Sequence, residues 1–340
     1  MKKNLKTVMR FTAILLVLAT LAGCLGCTTK DNESGSLKTI TLNEVAHSIF
    51  YAPQYVAIES GYFEEEGLSI NLVTGFGADK VMTSLVSGDA DIGFMGSESS
   101  IYVYEGGSKD YAVNFAQLTQ RAGNFLVSRE EMKDFTWDDI RYCTIIGGRQ
   151  GGMPQMLLEY ILKKNGINPE KDLTIIKNVD FGSTAAAFAS GLADFTVEFE
   201  PTATTLEQEG KGYVVASLGV ESGYVPYTAY CAKVSYIEKH PEIIQAFTNA
   251  IQKGLDYVNS HSSEEIARII SPQFPENDIE TITTIVERYK SQDTWKEDTV
   301  FTEEAYKLLK DILKSSGELT GDAPYEKLVN TTFSKNVPNG

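Results

Sequence analysis

The side chains able to do covalent or metal chemistry are few in this 340-residue chain. Its three histidines are His47, His240 and His261; His240 precedes Pro241 at a helix start, His261 lies in a polar turn, and neither has a metal-ligand spacing with the other. There is no Gly-x-Ser-x-Gly elbow and no phosphate-binding P-loop. Gly75-x-Gly77 follows a strand, but Lys80 stands where a dinucleotide fingerprint needs its next glycine. We therefore expect no catalytic residue, no metal and no cofactor.

What the residue types offer is recognition. Glycine loops at residues 75–77, 147–152 and 182 follow strands and precede helices, where backbone N–H groups and a helix's partial positive charge can meet a ligand. Aromatics gather beside the same loops: Phe50, Tyr51, Phe76, Phe181, Phe199 and Tyr227. Such rings wall small organic molecules while a few polar groups set orientation. The polar candidates are His47, Gln54, Ser97, Glu98, Arg149 and Glu198, and Gly77, Ala78, Gly151, Gly152, Met153 and Gly182 complete the expected binding set. Each has a plainer role open to it. Glu98 suits a helix N-terminus, Arg149 a solvated loop, His47 a satisfied core position, and Glu200 before Pro201 a helix cap. Ser97 can cap the helix that follows it, and Tyr102 and Tyr104 read as core.

Two similar units must position these groups. Residues 53–91 begin with Pro53-Gln54 and end with Ser-Gly-x-Ala-Asp; residues 154–194 begin with Pro154-Gln155 and end with the same pentad. Asp91 lies 38 residues after Pro53 and Asp194 lies 40 after Pro154. In each unit a strand, a helix, a strand, a Gly loop, a helix and a strand succeed one another, which makes a parallel α/β sheet with its ligand edge at the loops. From residue 234 the pattern turns helical, as in Ile243, Ile244, Phe247, Ile251, Leu255 and Val258. The expected fold is two-lobed α/β: residues 37–128 plus 229–340 form the first lobe, residues 129–228 the second. The chain crosses between them near residues 126–128 and 227–231, the C-terminal helices pack on the first lobe, and the cleft lies between. Two crossings permit hinge closure.

The formal charge is −16, and −20 once residues 1–23, with four basic and no acidic residues, are set aside. That argues against nucleic acid, whose phosphates need a basic stripe. Residues 1–10 carry Lys2, Lys3, Lys6 and Arg10, and residues 11–21 are apolar or nearly so, a length that fits a signal-peptide core. Leu21-Ala22-Gly23-Cys24 resembles the bacterial lipobox, so the expectation is a signal peptide over residues 1–23, lipidation at Cys24 and a flexible polar tether over residues 24–36. Cys143 and Cys231 could pair or remain two buried thiols.

Four stretches resemble the substrate-binding lipoproteins of ABC importers, in the nitrate/sulfonate/taurine and thiamine-pyrimidine-like group (SsuA/THI5-like, NMT1-like). They are Tyr51-Ala52-Pro53-Gln54-Tyr55-Val56-Ala57, Gly61-Tyr62-Phe63-Glu64-Glu65-Glu66-Gly67-Leu68, Ser87-Gly88-Asp89-Ala90-Asp91-Ile92-Gly93 and Glu198-Phe199-Glu200-Pro201. The resemblance implies a type II periplasmic-binding-protein fold and a lipid-anchored monomer on the outer face of the cytoplasmic membrane. It further implies a captured solute delivered to a permease that a separate ATPase subunit drives. For the ligand, sulfonate and nitrate would use glycine-loop donors; a pyrimidine-like or other aromatic ring would use Phe50, Tyr51 and Phe199 with Glu198 for an amino group. Two rivals stay open: an enzyme of the pyrimidine-precursor-synthase type, whose cysteine-rich motif this chain lacks, and an extracellular ligand sensor.

Overall fold

A computed structural model describes residues 36–338; the expected signal peptide, the expected lipidation site Cys24 and the expected tether up to residue 35 lie outside the described residues. Ten strands, β1 (Lys38–Glu44), β2 (Leu68–Thr74), β3 (Ile92–Gly96), β4 (Ala112–Thr119), β5 (Asn124–Ser128), β6 (Thr144–Ile146), β7 (Thr174–Ile176), β8 (Phe195–Phe199), β9 (Tyr213–Ser217) and β10 (Thr228–Lys233), form two five-stranded sheets. Their orders are β2-β1-β3-β10-β4 and β7-β6-β8-β5-β9. The two sheets follow one plan. In each, a parallel trio (β2-β1-β3 or β7-β6-β8) is extended by two antiparallel strands.

The Ser-Gly-x-Ala-Asp pentads explain why the trios agree. Gly88 and Gly191 both take a left-handed φ, of 90° and 96°, which ends the helices Ala78–Ser87 and Thr184–Ala189. The following aspartate then accepts a backbone N–H from the first strand of its unit: Asp91 Oδ2 from Thr41 at 2.9 Å, Asp194 Oδ2 from Thr144 at 2.7 Å. Each pentad thus stops a helix and sets the register of the next strand.

This is the two-lobed α/β fold with two crossings, as the repeat predicts. The boundary moves, however. β5 pairs with β8 and β9 in the second sheet, so the outward crossing is at residues 120–123 rather than 126–128, and residues 124–128 leave the first lobe. The return crossing comes just before β10, at residues 225–227. The apolar run through residue 128 hid the change, because both β4 and β5 are buried throughout. The two crossings lie side by side: Val225 N donates to Gln120 O at 2.8 Å, the hydroxyls of Thr119 and Thr228 are 2.6 Å apart, and Tyr227 Oη donates to Asn124 Oδ1 at 2.5 Å.

The helix Pro241–Ser260 covers the first sheet with a strongly apolar face, burying Ile244, Phe247, Ile251 and Leu255. Gly254 lets it approach the helix Ala52–Glu59 so closely that a Cβ there would strike Pro53 O. The helix Glu303–Ser316 departs from the expected cover, packing instead on Met153–Lys164 of the second lobe. Cys143 and Cys231 are free thiols, one beside the second sheet and one in β10 of the first. No described helix is long and apolar enough to cross a membrane.

Candidate functional site

Between the two sheets lies a cavity of about 390 Å³, a size suited to one small organic molecule. The first lobe lines it with Tyr51, Phe76, Gly77, Ala78 and Glu98; the second with Arg149, Gly151, Gly152, Met153, Phe181 and Phe199; Tyr227 enters from the return crossing. Twelve residues of the expected set therefore share one enclosure.

Six do not reach it. His47 is held by its own lobe: Nδ1 bonds Glu44 Oε1 and Nε2 bonds Gln273 O, both at 2.8 Å, and the ring stacks on Phe274. Burial pulls its pKa down, but the hydrogen bonds to Glu44 and Gln273 and the charges of Glu44 and Glu276 outweigh this and leave it raised. Gln54 is fully buried, donating to Glu44 Oε2 at 2.7 Å and accepting from Tyr230 Oη at 3.0 Å. Phe50 lies behind the wall, supporting Phe199 and Tyr227 with ring centroids 5.7 Å away in each case. Ser97 does not cap a helix; its Oγ donates to Pro226 O at 2.5 Å and ties β3 to the return crossing. Gly182 stands against Phe76 at the mouth without lining the cavity. Glu198 points into the second lobe, accepting from Thr196 Oγ1 at 2.7 Å and Thr184 Oγ1 at 3.0 Å, and burial pushes its pKa up to about 7. All six sit within three residues of true lining positions, a distance that sequence spacing does not resolve.

Among the lining residues outside the expected set, three were missed for identifiable reasons. Tyr102 has helix-core spacing, yet its hydroxyl crosses the cleft to donate to Gly151 O at 2.7 Å. Asp79 is a helix-start acid that forms an ion pair with Arg149 across the mouth. Glu318 follows the helix Glu303–Ser316 and accepts from Gln150 Nε2 at 2.5 Å. No local signal marks Glu318, since only the tertiary fold brings it there.

Several glycine-loop amides are engaged within the protein. Gly77 N is bonded to Val45 O at 3.2 Å, Gly151 N to Gln155 Oε1 at 2.9 Å and Gly152 N to Arg149 O at 3.0 Å. Gly151 adopts φ 76°, a left-handed turn that a side chain would strain. These loops shape the wall.

Glu98 is the distinctive group. It is 1% exposed, and Oε2 has no hydrogen-bond partner among the described residues. Gly96 makes room for it, because a Cβ at that position would collide with the carboxyl. Burial pushes its pKa up to about 8, against the backbone N–H groups of Glu98 and Met153, which favour the charged form. Glu200, expected as a cap, does hold the helix Thr202–Gln208: its Oε2 accepts from Thr204 N at 2.9 Å, and its Oε1 pairs with Arg288. No cluster of three His, Cys, Asp or Glu side chains fit to hold a metal occurs among the described residues.

With this geometry in hand, comparison with known proteins is informative. The family model described as NMT1/THI5 like matches residues 49–265. YtlA of Bacillus subtilis (strain 168), provisionally named a binding protein, is 46% identical over 325 residues, covering 96% of this chain and 95% of its own. Among solved structures, the ligand-binding component of an ABC-type import system from Staphylococcus aureus, with zinc bound, superposes with a TM-score of 0.72 at 16% identity, covering 88% and 99% of the two chains. The alkanesulfonate-binding protein SsuA from Xanthomonas axonopodis pv. citri, bound to MOPS, gives 0.70 at 14% identity over 88% and 100%. At these identities the structural likeness establishes the periplasmic-binding-protein fold.

Proposed function

The chain belongs to the NMT1/THI5-like family, and from that premise we propose that it is the solute-binding lipoprotein of an ABC importer. It captures a small aromatic or heteroaromatic molecule between its lobes and delivers it to a permease and ATPase. Lipid at Cys24 anchors it as a monomer to the outer face of the cytoplasmic membrane.

The observation that carries this reading is the cavity's construction. Its walls are rings from both lobes, Tyr51 and Phe76 facing Phe181 and Phe199, whereas its mouth is closed by breakable polar contacts: Asp79 with Arg149 and Tyr102 with Gly151. Rigid apolar walls behind a reversible polar seal suit capture and release. The import-system and sulfonate-binding titles of the structural neighbours, and the name of the B. subtilis relative, support the transport setting. The enzyme reading draws little support from the histidines, none of which lines the cavity: His47 is engaged with Glu44, His240 lies near Glu242 and His261 stacks on Tyr257.

Mass spectrometry of the purified protein under native conditions, followed by release under denaturing conditions, tests the proposal. We expect one stoichiometric small aromatic ligand that is lost in Phe199→Ala while the fold persists. Turnover of a bound molecule into a new product would overturn the reading. Separately, Cys24→Ala should release the protein from membranes and remove the lipid mass; continued membrane attachment would reject the anchor.

A further inference from the structure

Both ring nitrogens of His47 face oxygens that accept. Nε2 meets the backbone carbonyl of Gln273 and Nδ1 the carboxylate of Glu44, each at 2.8 Å. A neutral imidazole carries one N–H and would turn a lone pair toward one of these oxygens; only the doubly protonated ring satisfies both. Glu44 is wholly buried and gathers three further donors: Gln54 Nε2 at 2.7 Å, Tyr55 Oη at 2.8 Å and Thr74 Oγ1 at 3.1 Å. Such a set suits a charged carboxylate. The other titratable groups facing this cluster are Tyr55 on the helix Ala52–Glu59, Glu59, which accepts from Gln273 Nε2 at 2.5 Å, and Glu276 beyond the turn Ser271–Gln273. None of them is basic, so each favours the cationic ring.

What His47 grips matters more than the grip. Gln273 and Phe274, the latter stacked on the His47 ring with centroids 4.8 Å apart, form the corner before the helix Ile279–Ser291. From its first turn to its last, that helix touches the second lobe and the outward crossing. Gln208 Nε2 donates to Thr281 Oγ1 at 3.3 Å, Arg288 pairs with Glu200, and Tyr289 Oη donates to Gly123 O at 2.9 Å. Just past its end, Gln292 donates to Ala122 O at 3.1 Å and accepts from Ser217 Oγ at 2.7 Å. Ser48, next to His47, donates to Glu200 O. The helix is thus a splint laid across the hinge, and its near end is fastened to β1 through His47 and Glu44. We infer that His47 is a proton-operated clasp: as an imidazolium it holds the turn Ser271–Gln273 against the end of β1, and loss of one proton frees that turn and slackens the splint across the hinge. This does not depend on which solute the cleft takes. Burial alone would lower the ring's pKa, yet the bonds to Glu44 and Gln273 and the charges of Glu44 and Glu276 leave it raised above 6.5. The clasp is therefore fully closed below pH 6.5 and opens as pH rises through the folded-state value.

The test pairs two measurements on the full chain from pH 5.5 to 9. Carbon-13 resonances of the three histidine rings, assigned by the loss of one set in His47→Gln, report the protonation of His47. Amide hydrogen exchange, corrected for the intrinsic rate at each pH, reports the protection of residues 271–292. We expect His47 to be doubly protonated at pH 6, to titrate above 6.5, and the protection to fall about tenfold with the same midpoint. His47→Gln keeps a side-chain donor that does not titrate, so its protection over residues 271–292 should change less than about twofold across that range. A single neutral tautomer at pH 6, a midpoint at or below 6.5, or wild-type protection that stays level through the ring's titration would overturn the clasp. So would a fall in His47→Gln as large as that in the wild type. Should His47→Gln not fold, assignment passes to His240→Gln and His261→Gln, and the agreement or disagreement of the two wild-type midpoints decides the matter.

Discussion

Gly96 and Phe199 occupy the same place in the two lobes, each five residues after the aspartate of its pentad, each closing a central parallel strand and each lining the cavity. One has no side chain and leaves space for Glu98; the other is a ring that forms the opposite wall. The Pro-Gln pairs diverge in the same way. Gln54 is consumed by the buried Glu44 network, whereas Gln155 holds Gly151 in its turn at the cavity edge. The pentad aspartates, by contrast, do identical work. What the lobes share is scaffold, and the site is built where they differ.

The sharpest test of that contrast uses the two buried carboxyls, one in each lobe. Both have pKa values raised above the ordinary 4.5, to about 8 at Glu98 and about 7 at Glu198. A raised carboxyl holds its proton more tightly in the folded state, so folding is favoured at low pH and stability falls as pH climbs from 4.5 through those values. For Glu98 the loss is on the order of 4 kcal/mol by pH 8. Urea midpoints measured from pH 5 to 8.5 should show a flatter profile for Glu98→Gln than for the wild type. Glu198→Gln should flatten it less, because its two threonine donors would be left with a weaker acceptor. Identical slopes in wild type and Glu98→Gln would place the titration elsewhere.

Putting the second lobe's residue into the first is next in size. Gly96→Phe drives a ring into the Glu98 carboxyl and should cost about 3 kcal/mol and abolish binding. Phe199→Gly, the reverse exchange, should keep most of the stability and lose affinity. Equal stability losses would mean that the two positions are not specialised.

The glutamine pair should separate in kind. Gln54→Ala leaves Glu44 and Tyr230 each short of a buried partner and should cost about 2 kcal/mol with modest change in affinity. Gln155→Ala releases Gly151 and should weaken ligand binding about three- to tenfold, read by titration of whichever ligand is identified. The smallest effects belong to the aspartates: Asp91→Ala and Asp194→Ala should each cost about 1–2 kcal/mol by urea unfolding, and by similar amounts. A twofold disparity would show that the shared bond is not equally supported.

The repeat was readable because its signals are local. Pentads, Pro-Gln starts and left-handed glycines fix helix ends and strand register within a few residues, and so the two trios and the lining loops could be anticipated. The direction of individual side chains was not. Glu98 and Glu198 both follow apolar runs, and only the pleat and the bend after β3 turn one toward the cavity and the other toward Thr184 and Thr196. The boundary at residue 124 was hidden because β4 and β5 are equally buried, so apolar pattern carries no mark of the sheet change. Tyr102 and Glu318 depend on contacts between distant segments, which spacing along the chain does not encode.

The paired crossings have a mechanical consequence. Two separate tethers would leave the lobes free to twist, slide and bend. Strands fastened to each other by Gln120–Val225, Thr119–Thr228 and Asn124–Tyr227 behave as parallel rails of a leaf spring, stiff against torsion and compliant in one direction. Opening then becomes a motion with a single coordinate. Every excursion along it parts the Asp79–Arg149 and Tyr102–Gly151 contacts together.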